Sequence, residues 1–239
     1  MSAIESSIAA ARRLSRAVNK LQFSEPVTHV YNPLSYAWSA HEQYLRLMNP
    51  RGCRVLFLGM NPGPWGMAQT GVPFGQIEAV RDWLKIDARV RRPKQPHAKR
   101  PIDGLACQRS EVSGQRLWGL FRDRFGSPEH FFEDHMVSNY CPLVFMEASG
   151  KNRTPDKLPA GEREALDRAC DAHLKSVLEA MHPEWAVGVG AYAEKCLQRV
   201  ASGMEIALTR VLHPSPASPA ANRGWAAAAS AQLDAAGVW

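Results

Sequence analysis

Apolar residues recur along this chain with two different spacings. Near the start, Ile4, Ile8, Ala11, Leu14, Val18 and Leu21 share one face of a 3.6-residue period, with Arg12, Arg13, Arg16 and Lys20 between them, which predicts an amphipathic surface helix. A second amphipathic helix is predicted around residues 35–48, after PVTHVYNP, whose prolines and Asn32 mark a turn. RVLFLGM breaks the pattern. Its unbroken apolar character is that of a strand covered on both faces, as in parallel sheets flanked by helices. Further along, GQIEAVRDWLKI, GQRLWGLFRDRFG, AGEREALDRACDAHLKSVLEAM and AYAEKCLQRVA read as helices. MVSNY, EWAVGVG and IALTRVLH read as strands, and an Ala-rich helix is predicted from about Ser218. There is no internal repeat. Alternating strands and helices imply an α/β layer fold with a mainly parallel sheet and right-handed crossovers. The chain of 239 residues is expected to form one domain, residues 1–239.

In such folds ligands bind outside the carboxyl ends of the strands. The unusual residues fall there: GMNPGPWGMAQTGVPFG follows the first strand, Asn139 closes the second, GVGAYAEK follows the third and HPSPASPAANRG the fourth. Asn61, Asn139 and His213 are therefore directed toward one edge. Asn-Pro-Gly-Pro is by itself an ordinary turn. A mere reversal does not need the length of segment 59–75, however, and its prolines and glycines hold the backbone close to an occupant. His213, at the end of a strand expected to be buried, reads as a structural histidine or as a catalytic one. Pro214, Pro216 and Pro219 stiffen the loop after it, where Arg223 and backbone amides suit a phosphate. Asn139 reads as a strand-end cap, or as an amide that donates and accepts at once against the edge of a base. Phe74 reads as core or as a stacking face.

Charge sharpens this picture. The 29 Lys and Arg exceed the 23 Asp and Glu by six, which points to an anionic partner such as nucleic acid. RVRRPKQPHAKRP, residues 89–101, holds seven basic side chains counting His97, and reads as a solvated loop or as a phosphate contact. No apolar run approaches the roughly 18 residues that suggest a bilayer span, so a soluble protein without a membrane partner is expected. The basic N-terminal stripe lacks a secretory apolar region, leaving a packed helix or a transit peptide as its readings. Cys53, Cys107, Cys141, Cys170 and Cys196 are scattered and form no CxxC pair, so neither a disulfide framework, a zinc ribbon nor an iron–sulfur site is indicated. Reduced thiols in an intracellular protein, with no metal and no cofactor, are expected. The absence of GxxxxGK[ST] argues against a small-molecule nucleotide enzyme.

GMNPGPWGMAQTGVPFG, KRPIDGLACQRSEVSGQRLWG, NYCPLVFMEASGKN and HPSPASPAANRGW resemble the single-strand-selective monofunctional uracil-DNA glycosylases, a branch of the uracil-DNA glycosylase superfamily, over about residues 27–225. The resemblance implies a three-layer α/β/α fold around a four-stranded, mainly parallel sheet. It further implies a monomeric DNA repair hydrolase that releases uracil, and oxidised pyrimidines such as 5-hydroxymethyluracil, from single- and double-stranded DNA, in the cytoplasm or nucleoid of a bacterium or in the nucleus of a eukaryote. By the same resemblance Asn61 positions water and His213 stabilises the departing uracil. Asn139 reads the base, Phe74 stacks on it, and Met60 and Gly63 lie beside it. Ser215, Pro216, Ala217, Ser218, Pro219, Asn222 and Arg223 form the loop that wedges into DNA. The alternatives are the same fold acting on deaminated purines and a noncatalytic module that only binds damaged bases.

The chemistry sets further expectations. An amide does not ionise usefully, so Asn61 orients water and does not deprotonate it. No lysine lies in either catalytic motif, which favours hydrolysis over a Schiff-base step. Uracil presents an N3–H donor and an O4 acceptor, and cytosine the reverse, so selectivity requires a neighbour that locks the Asn139 amide. The sequence does not name that neighbour.

Overall fold

The computed structural model describes residues 1–239. In chain order the elements are α1 (Ala3–Val18), β1 (His29–Tyr31), α2 (Pro33–Tyr36), α3 (Trp38–Leu45), β2 (Val55–Gly59), α4 (Met67–Thr70), α5 (Val112–Phe125), α6 (Pro128–Asp134), β3 (His135–Asn139), β4 (Val144–Met146), β5 (Asn152–Arg153), α7 (Ala160–Met181), β6 (Trp185–Val189), α8 (Ala191–Val200), β7 (Ala207–Val211), α9 (Pro219–Asn222) and α10 (Trp225–Ala236).

Four strands form an all-parallel sheet in the order β3-β2-β6-β7. The central strand β2 is buried along its whole length, as its unbroken apolar run requires. Helix α5 packs with α10, while α7 packs with α8 and carries α1. Right-handed crossovers place these two groups on opposite faces of the sheet, giving three layers. The N-terminal apolar stripe buries Ile8, Ala11, Leu14 and Val18, and Ser2 caps the helix by accepting the Glu5 amide.

Three expected helices differ in the structure. The one expected over residues 35–48 breaks at Ala37 into α2 and α3. Gly71 approaches so closely there that a Cβ on it would press on the Ala37 carbonyl, and the Gly71 carbonyl bonds His41 Nδ1 at 2.8 Å. GQIEAVRDWLKI forms only a wide turn, Ala79–Trp83, which begins where the Gln76 side chain accepts the Ala79 amide and ends at Lys85 in the left-handed region. The Ala-rich helix is split at Arg223–Gly224, because Trp225 turns its indole N–H to the Leu212 carbonyl and starts α10 along β7. A fourth correction concerns β7. It was expected to be buried, but it lies at the sheet edge, and only Val211 of its residues is buried.

A second sheet was not anticipated. It is antiparallel, ordered β1-β4-β5, and pairs His29 with Met146. Its apolar side joins Tyr31, Tyr36, Ala68, Ile102, Val144 and Met146 in a small separate core, where the Tyr36 hydroxyl donates to the Ala68 carbonyl at 2.6 Å. This cluster ties the chain after β3 to the chain after β2, the two segments that carry Asn139 and Asn61.

Candidate active site

The parallel register sets Gly59, the last residue of β2, beside Asn139, the last residue of β3. A Cβ on Gly59 would overlap both Asn139 Oδ1 and the ring of Phe74, so glycine at this strand end is what lets the carboxamide and the aromatic ring meet. Phe74 itself has a φ of +54°, a conformation that costs a non-glycine residue about 1–3 kcal/mol and persists only where its surroundings impose it. Gln76 donates to the Phe74 carbonyl at 2.7 Å, and Gly114 of α5 presses on that same carbonyl. The ring centroid of Phe74 lies 6.3 Å from that of His213, which in turn packs against Gly190 at the end of β6. Residues following all four parallel strands thus meet at one edge.

Asn139 is buried, and its two amide ends differ. Nδ2 lies 3.4 Å from Met67 Sδ, while Oδ1 is buried with no partner. An amide turned the other way would set its oxygen against a sulfur that has no proton to give, so Met67 selects the orientation in which Oδ1 faces the empty side. Neighbouring Tyr140 anchors the strand end: its hydroxyl donates to Asp171 Oδ1 at 2.7 Å and receives Arg199 at 2.9 Å.

Asn61 is half-buried. Its Nδ2 donates to the carbonyls of Leu143 at 3.1 Å and Pro62 at 3.3 Å, which leaves Oδ1 as the end available to a ligand. Leu143 immediately precedes β4, so the unanticipated second sheet holds the acceptor that orients Asn61. Met60 contributes its carbonyl to the Cys141 amide at 2.9 Å, closing the same seam.

His213 Nδ1 accepts the Ser215 amide at 3.1 Å, so in the neutral ring Nε2 carries the proton. Burial lowers the pKa of this imidazole below its ordinary value and favours that neutral form. The following loop is braced from within. Ser215 Oγ accepts the Ala217 amide, and Ser218 Oγ accepts that of Ala221. Arg116 of α5 donates to the Pro214 carbonyl at 3.0 Å and to Asn222 Oδ1 at 2.9 Å, and Asn222 Nδ2 reaches the Pro216 carbonyl at 2.9 Å. Both ends of the Asn222 side chain are therefore engaged inside the protein. Pro216, Ala217, Pro219 and Arg223 stand exposed.

Sequence reasoning passed over Gly59, Met67, Glu111, Arg116 and Trp65. Gly59 had a faint signal, a glycine closing an apolar strand, whereas the others act through contacts no spacing reveals. Trp65 lies under two guanidinium groups, Arg100 at 5.1 Å and Arg109 at 5.0 Å from its ring centroid. In the basic stretch, Arg91, Arg92 and Lys94 line a groove of about 570 Å³ with Asn19, Asn32 and Tyr36. His97 does not join them. It is buried, receives the Lys99 amide on Nδ1 at 3.0 Å and donates from Nε2 to the Glu147 carbonyl at 3.1 Å, so it pins the loop and offers nothing to a phosphate.

The sequence pattern of the Uracil DNA glycosylase superfamily matches residues 45–233. Single-strand selective monofunctional uracil-DNA glycosylases of Rattus norvegicus and Bos taurus are each 49% identical to this chain over 95% of its length, covering 82% and 84% of their own. That of Mus musculus is 48% identical over the same share. The crystal structure of Pedobacter heparinus SMUG2 superposes with a TM-score of 0.65 at 18% identity, over 96% of this chain and 97% of that one, a likeness of fold. The chain belongs to the single-strand selective monofunctional uracil-DNA glycosylases, within the uracil-DNA glycosylase superfamily.

Proposed function

We propose that this uracil-DNA glycosylase flips a uracil nucleotide into the crevice between Phe74, Asn139 and His213 and hydrolyses its N-glycosidic bond with water oriented by Asn61, leaving an abasic site. The observation that carries the reading is the buried, unpartnered Asn139 Oδ1 held beside the Phe74 ring. An orphaned buried acceptor is costly, and the N3–H of uracil is the donor that relieves it. Cytosine has no proton at N3, so it leaves the acceptor unpaired.

Extruding the base costs roughly a few kcal/mol, least in single strands, and stacking on Phe74 returns about 1–3 kcal/mol. Breaking the bond places negative charge on the uracil, and the Nε2–H of neutral His213 is a preorganised donor for it. Asn61 Oδ1 accepts a hydrogen bond from the attacking water and aims its lone pair. Water adds to the sugar carbon as the uracil departs with the bonding electrons; the added water gives one proton up to solvent, and the uracil anion takes one from solvent, which balances the hydrolysis. The exposed loop tip, Pro216 and Ala217 with Pro219, is apolar but small, which supports better activity on single strands than on duplexes. Arg223 beside it is placed to contact a phosphate. The protein acts as a monomer inside the cell, wherever its DNA lies, and no helix is long and apolar enough to cross a membrane.

Incubation with single- and double-stranded oligonucleotides containing one uracil, followed by alkaline cleavage of abasic sites, tests the reading. Strand scission at the uracil, faster in single strands and without a borohydride-trapped adduct, is expected. Binding without abasic product would reduce the protein to a damage-binding module, and release of hypoxanthine or xanthine in place of uracil would move it to deaminated purines.

A further inference from the structure

Residues 213–224 leave the end of β7 and return to α10, and their tip, Pro216 and Ala217 with Pro219, is exposed without any large apolar side chain. Such a tip has little area of its own to bury in a base stack. It has to be stiff beforehand, because a loop already in its bound shape gives up less conformational freedom on binding.

Pro214, Pro216 and Pro219 supply part of that stiffness. The hydrogen bonds of His213 with Ser215, Ser215 with Ala217, Ser218 with Ala221 and Asn222 with Pro216 shape the loop but fasten it to nothing else. Arg116 does that. From α5 it donates through one guanidinium nitrogen to the Pro214 carbonyl at 3.0 Å and through another to Asn222 Oδ1 at 2.9 Å, joining the start of the loop to its end and both to a long helix. The same helix backs the stacking ring, since Gly114, two positions earlier, presses on the Phe74 carbonyl. Loop and ring are therefore held in one frame.

We propose that Arg116 is a positioning residue for duplex substrates: by clamping Pro214 and Asn222 to α5 it presets the loop that enters the stack, and so determines how much activity the enzyme retains on paired DNA. This rests on the reading that a uracil is flipped into the crevice beside the loop. A duplex must be unstacked before the base leaves it, whereas a single strand needs no wedge. The clamp matters to the first and hardly to the second.

The test measures kcat/KM for uracil in a single strand and in the matching duplex, with the parent enzyme, Arg116→Met and Arg116→Lys. Met keeps an unbranched stem and removes both bonds, whereas Lys keeps the charge but brings a single nitrogen, which reaches one of the two oxygens. Asn222 and the loop tip are exposed, so water takes up the oxygens that the guanidinium leaves and the variants fold. The ratio of duplex to single-strand activity should fall by about tenfold or more in Arg116→Met, the size of one hydrogen bond to a charged group, and by about threefold or more in Arg116→Lys. The salt slope of binding to uracil-free duplex should stay as in the parent, because the guanidinium is engaged by the loop and not by a phosphate. A ratio that Arg116→Met leaves unchanged, an equal loss on both substrates, a parental ratio in Arg116→Lys, or a slope lower by about one, the mark of a direct phosphate contact, overturns the inference and leaves the uracil reading standing. A parent enzyme that acts on single strands but not on duplexes overturns it as well, and one that releases uracil from neither overturns the uracil reading itself.

Discussion

His213 is expected to work as a neutral donor, and its pH dependence separates this from catalysis by an imidazolium. The Ser215 amide occupies Nδ1 at 3.1 Å, and a protonated ring would have to break that bond. Burial lowers the pKa, so the neutral form prevails at and above neutrality. The unfolded chain binds this proton more readily, so the stability the neutral ring contributes is complete above the ordinary histidine pKa and falls away as pH drops toward the lowered one, through which the neutral, active form is lost in turn. Removing one preorganised donor to a developing anion costs about 2.7–4 kcal/mol, so His213→Ala should lose about 10²–10³ in kcat. The assay is single-turnover release of uracil from a single-stranded oligonucleotide between about pH 5 and 9, and its readout is the ratio of parent to His213→Ala at each pH. Taking the ratio cancels other groups that titrate in this range, Glu111 among them. The ratio should rise from acid to neutral pH and then stay level. A ratio that falls from about pH 6.5 upward along a single ionisation would show that the imidazolium is the required form, and the argument from the Ser215 bond would fail.

Gly59→Ala would drive a Cβ into both Asn139 and Phe74; displacement of a positioned group by about 1 Å costs on the order of 10²-fold, so kcat/KM should fall at least that far while circular dichroism still reports the fold. Met67→Leu removes the sulfur that orients the Asn139 amide, and because a thioether is a weak acceptor, discrimination between uracil and cytosine should relax by only about 2- to 10-fold in competition assays. Arg91→Gln combined with Arg92→Gln should lower the salt slope of single-strand binding by about one per lost phosphate contact, and an unchanged slope returns the groove to a plain solvated loop. In Glu111, whose carboxyl is raised to about 7, the folded state holds the proton more tightly than the unfolded one, so stability declines as pH rises from the ordinary carboxylate range to that value. Glu111→Gln should abolish that decline in Tm measured against pH.

The sequence by itself determined the layered architecture. The apolar runs of β2, β3 and β6, spaced by amphipathic helices, bury their strands only between two helical layers, and the parallel connection then carries the carboxyl ends of all four strands to one edge. For that reason Asn61, Asn139 and His213 were legible as a group. What failed at the sequence level was local shape that distant contacts impose: the helix break at Ala37 pressed by Gly71, the wide turn at Ala79–Trp83, the exposed edge position of β7, and a second sheet whose strands are too short to carry a period. Only the tertiary structure decided which atoms face the crevice. The Asn139 amide is set by Met67, 72 positions away in the chain, and the tautomer of His213 by the amide of Ser215. The Glu111 carboxyl is seated by Gly63 and Gly66 from another element. Periodicity encodes which face of an element turns inward, because burial depends on one residue at a time. Orientation of a polar group depends on its partner, and partners are chosen by the packing of the whole chain.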